Sequence, residues 1–307
     1  GAAVRVRPVR PLLLLATAAV LAGCAATDGT TSAARDGVGA ADAADATSAG
    51  AAAAPPSGDD PAATTAVVHL VRSGPTAFYV EPVAVPVPPG APAGDDPASR
   101  IARAVAALLA VPDPADPDLA TSVPPGTLAR DVTLEGDLAV LDLGGALAGS
   151  SGGSAEEMTF AQQLAHTVAT ARPGLAGVRV LLEGRPIASL WGHLDWSVPL
   201  AADPSALSPV TIGAPVHGAA LPVGAVTVTG RATVFEGTVL VRLERADGTV
   251  LEEGFVTASE GGPGRGDWTW TVTLPEPGGY RLVAGGSDPS DGEGPPPFAT
   301  VRSVTAG

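Results

Sequence analysis

The feature that most constrains this chain is a 42-residue stretch, 24–65, which holds no Leu, Ile, Phe, Tyr or Trp and only one Val. Its residues are small or polar, with six acidic side chains and one Arg. Such a segment cannot bury enough apolar surface to offset the entropy lost on ordering. We therefore predict a disordered tether. A poly-Ala helix is the alternative, which the interspersed Gly, Pro and Asp oppose.

The segment before the tether is typical of a bacterial export signal. Three Arg residues precede an apolar run over residues 12–22, which is shorter than the roughly 20 residues that span a bilayer. The run ends in Leu21-Ala22-Gly23-Cys24. This resembles the lipobox, in which the Cys is diacylated (a palmitate-type anchor) and becomes the first mature residue. The resemblance implies a signal peptide over 1–23, lipidation of Cys24 and a location at the outer face of the cell membrane. A chance Cys in an ordinary secretory signal is the alternative.

Charge and composition exclude several function classes. The formal charge is −15, and all 17 basic residues are Arg. An acidic chain lacks the basic surface that nucleic-acid binding requires, so we expect no nucleic-acid partner. Without Lys there is no Schiff base and no P-loop, and with one Cys there is no internal disulfide and no CxxC pair. We expect no cofactor.

Residues 66–200 alternate strand and helix patterns in the order β-β-α-β-β-α-β-β, which predicts an α+β domain. Asp96 and Pro97 form an N-cap and N1 pair at the start of the first helix. The last strand is predicted at residues 187–191.

The second helix of this domain is predicted to begin with a capping box. Ser154 would be the N-cap and Glu157 its reciprocal partner three residues later. Met158 then opens the apolar stripe that continues through Ala161 and Ala165, and we expect all three to face the core.

After a short linker at 201–208, residues 207–305 show period-two strands and no helical period, which predicts an immunoglobulin-like β-sandwich. Asp247-Gly248 is typical of a hairpin turn. Trp268 and Trp270 share one strand face and are predicted to be core. An exposed ligand-binding platform is the alternative.

The order of motifs resembles two families. Residues 66–200 resemble the GerMN domain of sporulation and spore-germination proteins. The matching segments include an opening strand at 67–71, a helix at 101–109 and the closing segment 178–184. Residues 209–304 resemble the immunoglobulin-like domain found beside the GerMN domain in germination-type proteins. The matching segments include the Val-Phe-Glu-Gly-Thr-Val stretch at 234–239 and other strand segments. The resemblance implies an extracytoplasmic lipoprotein in envelope, sporulation or germination-related assembly. It brings no catalytic residues.

Few residues offer chemistry. His193 and Asp195 form the nearest His/Asp pair and could recruit a metal with a distant third ligand, although a strand-end His packed between tryptophans is the simpler interpretation. Asp288, Asp291 and Glu293 could touch calcium, but their spacing misses the EF-hand pattern. We therefore predict no catalytic and no metal site.

We accordingly predict a non-enzymatic envelope protein that binds or scaffolds other components. It would be held at the membrane through Cys24, with an envelope protein or peptidoglycan as partner and the free strand edges of the first domain as the contact surface. Two alternatives remain open. One is a peptidoglycan hydrolase or a regulator of one, and the other is a small-ligand sensor with an apolar cavity in the first domain. Residues 265–267 also spell the Arg-Gly-Asp adhesion tripeptide.

Overall fold

The chain folds into an α+β part followed by an all-β part in a computed structural model, which describes residues 65–111, 114–287 and 293–307. The elements of the first part are β1 Thr65–Ser73, β2 Phe78–Pro86, α1 Pro97–Leu109, β3 Leu119–Ala120, β4 Thr127–Glu135, β5 Leu138–Gly145, α2 Ser154–Ala171, β6 Gly177–Leu182 and β7 Arg185–Pro186. Those of the second are β8 Val210–Ala214, β9 Ala220–Leu221, β10 Gly224–Ala232, β11 Thr238–Arg245, β12 Val250–Thr257, β13 Gly266–Leu274, β14 Gly278–Gly285 and β15 Ala299–Ala306. Single-turn 3₁₀ helices lie at Ala146–Gly149, Pro204–Ala206 and Phe235–Gly237. The predicted fold class is confirmed, and we call the two parts the first and second domain.

The first domain packs two helices on two small sheets, ordered β2-β1-β3 and β4-β5-β6-β7. Of the strand pairs described in these two sheets, β5–β6 alone is parallel, because α2 forms the crossover between these strands. Asp96 caps α1 as predicted, accepting from the backbone N–H groups of Ala98 and Ser99 at 3.0 Å each. The core between helices and sheets includes Leu70 and Phe160, both fully buried.

The start of α2 differs from its prediction by one residue. Gly153 is the N-cap, and Glu156 accepts from its backbone N–H at 2.8 Å. Glu157 is thereby released from capping and points into the protein, where it is fully buried. Met158 consequently faces solvent and is 58 % exposed, so its assignment to the core stripe was wrong.

The strand predicted at residues 187–191 is absent, and β7 covers only Arg185–Pro186. The physical reason is the buried carboxylate of Glu157. The backbone N–H groups of Leu190 and Trp191 donate to its Oε1 atom, at 3.3 and 3.0 Å, instead of to a neighbouring strand.

The second domain is a sandwich of a three-stranded sheet, β13-β10-β8, and a five-stranded sheet, β12-β11-β14-β15-β9. Trp268 and Trp270 are 2 % and 8 % exposed, so their prediction as core is confirmed. Gly230 makes this packing possible. A Cβ atom there would lie 2.6 Å from the indole of Trp268 and 1.9 Å from the carbonyl oxygen of Thr211.

The described residues belong to one compact unit, Pro56–Gly307, within which the two domains touch. Tyr79 of β2 packs edge-on against Phe298 of the second domain, with ring centroids 5.1 Å apart. The linker also joins the first domain, because the backbone N–H of Ser208 donates to the carbonyl of Val80 at 3.0 Å.

Candidate functional site

Four charged side chains are buried where the two domains meet, and we call them the junction cluster: Arg72, Glu81 and Asp116 of the first domain and Arg302 of the second. None is more than 5 % exposed. Arg72 binds Glu81 at 2.6 Å and Asp116 at 2.9 Å. Arg302 binds the same two carboxylates, at 2.8 Å for Asp116. Two positive and two negative charges therefore compensate each other across the domain boundary.

Strand register brings the cluster together. In the β1–β2 pair, Arg72 lies opposite Tyr79 and Glu81 lies opposite Leu70, so Arg72 and Glu81 are diagonal neighbours on one face. Arg302 arrives from β15, the last strand of the other domain. Removing an ion from water costs several kcal/mol, which only close opposite charges and hydrogen bonds offset. The cluster therefore requires both domains to keep its charges compensated.

The surroundings of Arg72 favour its charged form. Burial opposes the charged form of Arg72, but hydrogen bonds and charge attraction from Glu81 and Asp116 raise its pKa above the ordinary value. His217 of the second domain lies at the edge of the cluster, with Nδ1 3.5 Å from Asp116 Oδ1.

Arg265 makes a second contact at the junction. Its guanidinium donates to the carbonyl of Ser208 at 2.8 Å. Burial and the nearby charge of Arg231 lower the pKa of Arg265 to about 10, although the negative charge of Glu81 acts to raise it. The Arg of the Arg-Gly-Asp tripeptide is thus engaged at the junction, and Asp267 of the tripeptide pairs with Arg231 at 3.0 Å.

Two histidines lie close together behind this contact. The rings of His69 and His166 have centroids 5.2 Å apart, and both residues are buried. Burial, with repulsion from His166 and Arg265, lowers the pKa of His69 to about 3. Burial also lowers the pKa of His166, although the carbonyl of Asp203 contacts its Nε2 at 2.9 Å. Both imidazoles are therefore neutral at pH 7.

Glu157 organises the segment that contains the predicted His/Asp pair. Its carboxylate accepts from the backbone N–H of His193 at 2.8 Å and from the indole N–H of Trp196 at 2.7 Å, besides the two bonds from Leu190 and Trp191. Burial opposes ionisation, but these four donors hold the pKa of Glu157 below its ordinary value. The segment is therefore fixed around one buried carboxylate.

The predicted pair itself does not converge on a ligand site. Asp195 accepts from the backbone N–H and the hydroxyl of Ser197, at 2.9 and 2.6 Å. Within residues 65–111, 114–287 and 293–307, no three His, Cys, Asp or Glu side chains are grouped as a metal site. Cys24, Asp288 and Asp291 lie outside the described residues.

An apolar cleft of about 660 Å³ runs beside the junction cluster. Its lining comes from the second half of β2, the end of α1 and the region of residues 212–217 in the second domain, and it includes Asp116 and Arg302. Val216, one of the lining residues, is 63 % exposed. The cleft lies between the domains, whereas the sensor alternative placed a cavity inside the first.

Neither the junction cluster nor the role of Glu157 is predicted from the sequence. One signal was present, because Arg72 and Glu81 interrupt the apolar strands β1 and β2. A charged residue in such a strand indicates a buried partner, but the partner Arg302 lies 221 positions from Glu81. No local pattern links residues so far apart.

Comparisons with known proteins agree with this architecture. Residues 70–188 match a family described as "Sporulation and spore germination", and residues 209–293 match one described as "Immunoglobulin-like domain of bacterial spore germination". A search of curated proteins finds no match. Among the described residues, none of the helices combines the length and apolar character needed to cross a bilayer.

Two solved structures illustrate the likeness. One is a Clostridium perfringens protein assigned as a lipoprotein, with 18 % identity and a TM-score of 0.32, covering 45 % of this chain and 87 % of that one. The other is the tandem GerMN domains of the sporulation protein GerM from Bacillus subtilis, with 15 % identity and a TM-score of 0.34, covering 48 % and 49 % of the two chains. Both TM-scores lie below 0.5, so the assignment rests on the family matches. The chain carries a sporulation and spore germination domain followed by an immunoglobulin-like domain of bacterial spore germination.

Proposed function

We propose that this chain is a non-enzymatic, lipid-anchored protein of the cell envelope that binds other components of a sporulation or germination-related assembly. The anchor is Cys24 and the tether is residues 24–65. Two folded modules held near a surface meet partners at a raised local concentration, so weak contacts suffice for assembly.

The proposal rests on one observation: the buried ionisable groups make contacts that hold the fold together. Arg72, Glu81, Asp116 and Arg302 join the two modules, and Glu157 fixes a loop. A rigid pair of modules is suited to presenting its outer surfaces in one relative orientation. Partners are expected to be envelope proteins or peptidoglycan, and basic groups on them would complement the net negative charge.

Crosslinking in intact cells tests the proposal. The chain and its Cys24→Ala variant are compared after crosslinking, affinity capture and mass spectrometry. We expect defined envelope partners that are lost when the anchor is removed. Recovery of no specific protein or glycan, together with peptidoglycan cleavage by the purified chain, would instead establish the hydrolase alternative.

The junction cleft supports a second candidate, a sensor of an apolar small molecule. Its volume of about 660 Å³ is in the range of small-molecule sites. A ligand there would contact both domains. A screen of apolar compounds by thermal shift checks this, with Ala110→Trp at the cleft wall as the blocking variant.

A further inference from the structure

One edge strand of the second domain is open to pairing with another chain. β12 is the terminal strand of its five-stranded sheet, and β11 is its only strand partner among the described residues. All of its residues are exposed except Val256, which is half-buried. Edge strands with free backbone groups accept further strands unless they are protected.

The hydrogen bonds of β12 show which backbone groups are free. The N–H of Ala258 donates to the carbonyl of Gly237 at 2.8 Å, at the end where β11 begins. In an antiparallel strand, the backbone N–H and C=O groups of successive residues point alternately to one neighbouring strand and to the other. The register between β12 and β11 is regular from Glu252 to Thr257. The even-numbered residues of β12 therefore bond to β11. The N–H and C=O groups of Glu253 and Phe255 point to the open side.

The side chains beside this edge form an apolar patch with a hollow. Phe255 is 69 % exposed, and Leu240, directly opposite it on β11, is 43 % exposed. A hollow of about 500 Å³ adjoins them, with Gly285 and Phe298 among its lining residues. An incoming strand could place a large apolar side chain there.

The same edge carries negative charge without a partner. Glu252 and Glu253 form no ion pair with any residue in the described part of the chain. Arg242 lies opposite Glu253, but its guanidinium binds Glu244 at 2.6 Å. A basic side chain on an incoming strand would therefore complete the charge pairing.

The edge strands β2 and β4 of the first domain are less suited to strand addition. The carbonyl of Val80 on β2 accepts a hydrogen bond from the linker, so the backbone groups of Val80 point to the open side of the strand. Alternate residues of a strand point the same way, so Pro82 and Pro86 also face the open side. Proline has no N–H group to donate to an added strand. The edge strand β4 is interrupted by a bulge between Ala129 and Asp131. Proline and bulges are the devices by which proteins protect sheet edges.

We propose that β12 docks an extended segment of a protein partner that carries Arg or Lys two positions from a large apolar residue. The apolar side chain packs on Phe255 and Leu240, and the basic side chain on the same face meets Glu253. A second copy of this chain fits less well, because its β12 would bring two more glutamates and no base. This inference rests on the proposed function and specifies the contact through which it operates.

The test uses a displayed library of random ten-residue peptides as the probe and the full chain carrying Cys24→Ala as the target. We expect enriched peptides with the basic and apolar residues two positions apart. Binding of an enriched peptide should weaken about fivefold in Glu253→Arg, which opposes its charge. It should weaken similarly in Thr257→Pro, which removes an N–H that β11 does not use. Asp131→Arg, the same charge change on exposed β4, is the matched control and should leave binding unchanged.

Three results overturn the inference: no such enrichment, binding that Glu253→Arg does not change, or a dimer in sedimentation that Glu253→Arg dissociates. The last result assigns the edge to a second copy. Repeating the in-cell crosslinking with Glu253→Arg separates this inference from the proposed function. If partners persist unchanged in that variant, the protein binds envelope components but β12 is not the contact.

Discussion

The guanidinium of Arg302 lies 2.8 Å from the carboxylate of Asp116, although the two residues are 186 positions apart and belong to different domains. Both are buried, and each also contacts a second opposite charge, Glu81 for Arg302 and Arg72 for Asp116. The contact between the modules is therefore ionic and buried at its centre. Its stability depends on all four members at once.

Arg302→Met should destabilise the protein by about 3–5 kcal/mol, because Glu81 and Asp116 would lose a buried partner. Urea denaturation measures this. Arg179→Met removes an exposed pair with Glu135 and should cost less than about 1 kcal/mol. Equal effects of the two substitutions would contradict the role given to the junction cluster.

Residues 66–200 and 207–305 are predicted to fold separately, because each has its own apolar core. Each piece, expressed alone, should give a folded circular dichroism spectrum and dispersed proton resonances. Both should melt below the intact chain, since each loses the ion pairs between Arg302 and the carboxylates. An unfolded piece would refute the boundary, and melting temperatures equal to that of the intact chain would refute the coupling.

Glu157→Gln should destabilise the protein by about 2–4 kcal/mol, because an amide nitrogen would face N–H donors and leave them unsatisfied. The emission of Trp191 and Trp196 should shift as their segment loosens. The neighbouring Glu156→Gln, at the exposed helix cap, should cost less than about 1 kcal/mol, since its amide oxygen can still accept from Gly153. A reversed order of the two effects would contradict the assignment of the buried carboxylate.

Stability should fall between pH 7 and pH 5 because of His69. Its pKa is about 3 in the folded protein and 6.5 when unperturbed. Below pH 6.5 the unfolded chain binds a proton that the folded chain does not, so stability present above that pH is lost as the pH falls towards 3. Between pH 7 and pH 5, His69 alone accounts for a loss of about 2 kcal/mol, and His166 adds in the same direction.

His69→Phe supplies the control for this pH dependence, because its ring cannot titrate. Free energies of unfolding at pH 7 and pH 5 should differ less in this variant than in the parent chain, whatever its absolute stability. The same slope in both proteins would show that other groups cause the loss.

Cys24→Ala should move the protein from the membrane fraction to the soluble or unprocessed fraction, since the sulfur that would carry the lipid is removed. Fractionation with immunoblotting and a radiolabelled palmitate feed measure both properties. Normal processing and membrane association of the variant would rule out the anchor.

Local patterns in the sequence predicted the two helices, most of the longer strands and their order, the helix start at Asp96, the sandwich pattern of the second domain and the burial of Trp268 and Trp270. These features follow from hydrophobic period, caps and turns, all of which act over a few residues. The errors at Ser154 and Met158 arose because Glu156 and Glu157 are both able to cap α2. Packing decides which of the two turns inward.

The junction cluster and the open edge of β12 arise only when the chain is fully folded. Arg302 meets Glu81 because two separately patterned domains dock, and no periodicity within either domain encodes that contact. Likewise, alternation predicts a strand at β12 but not its place at the end of a sheet. That place depends on which strands pair, and pairing is fixed by the packing of the whole sandwich.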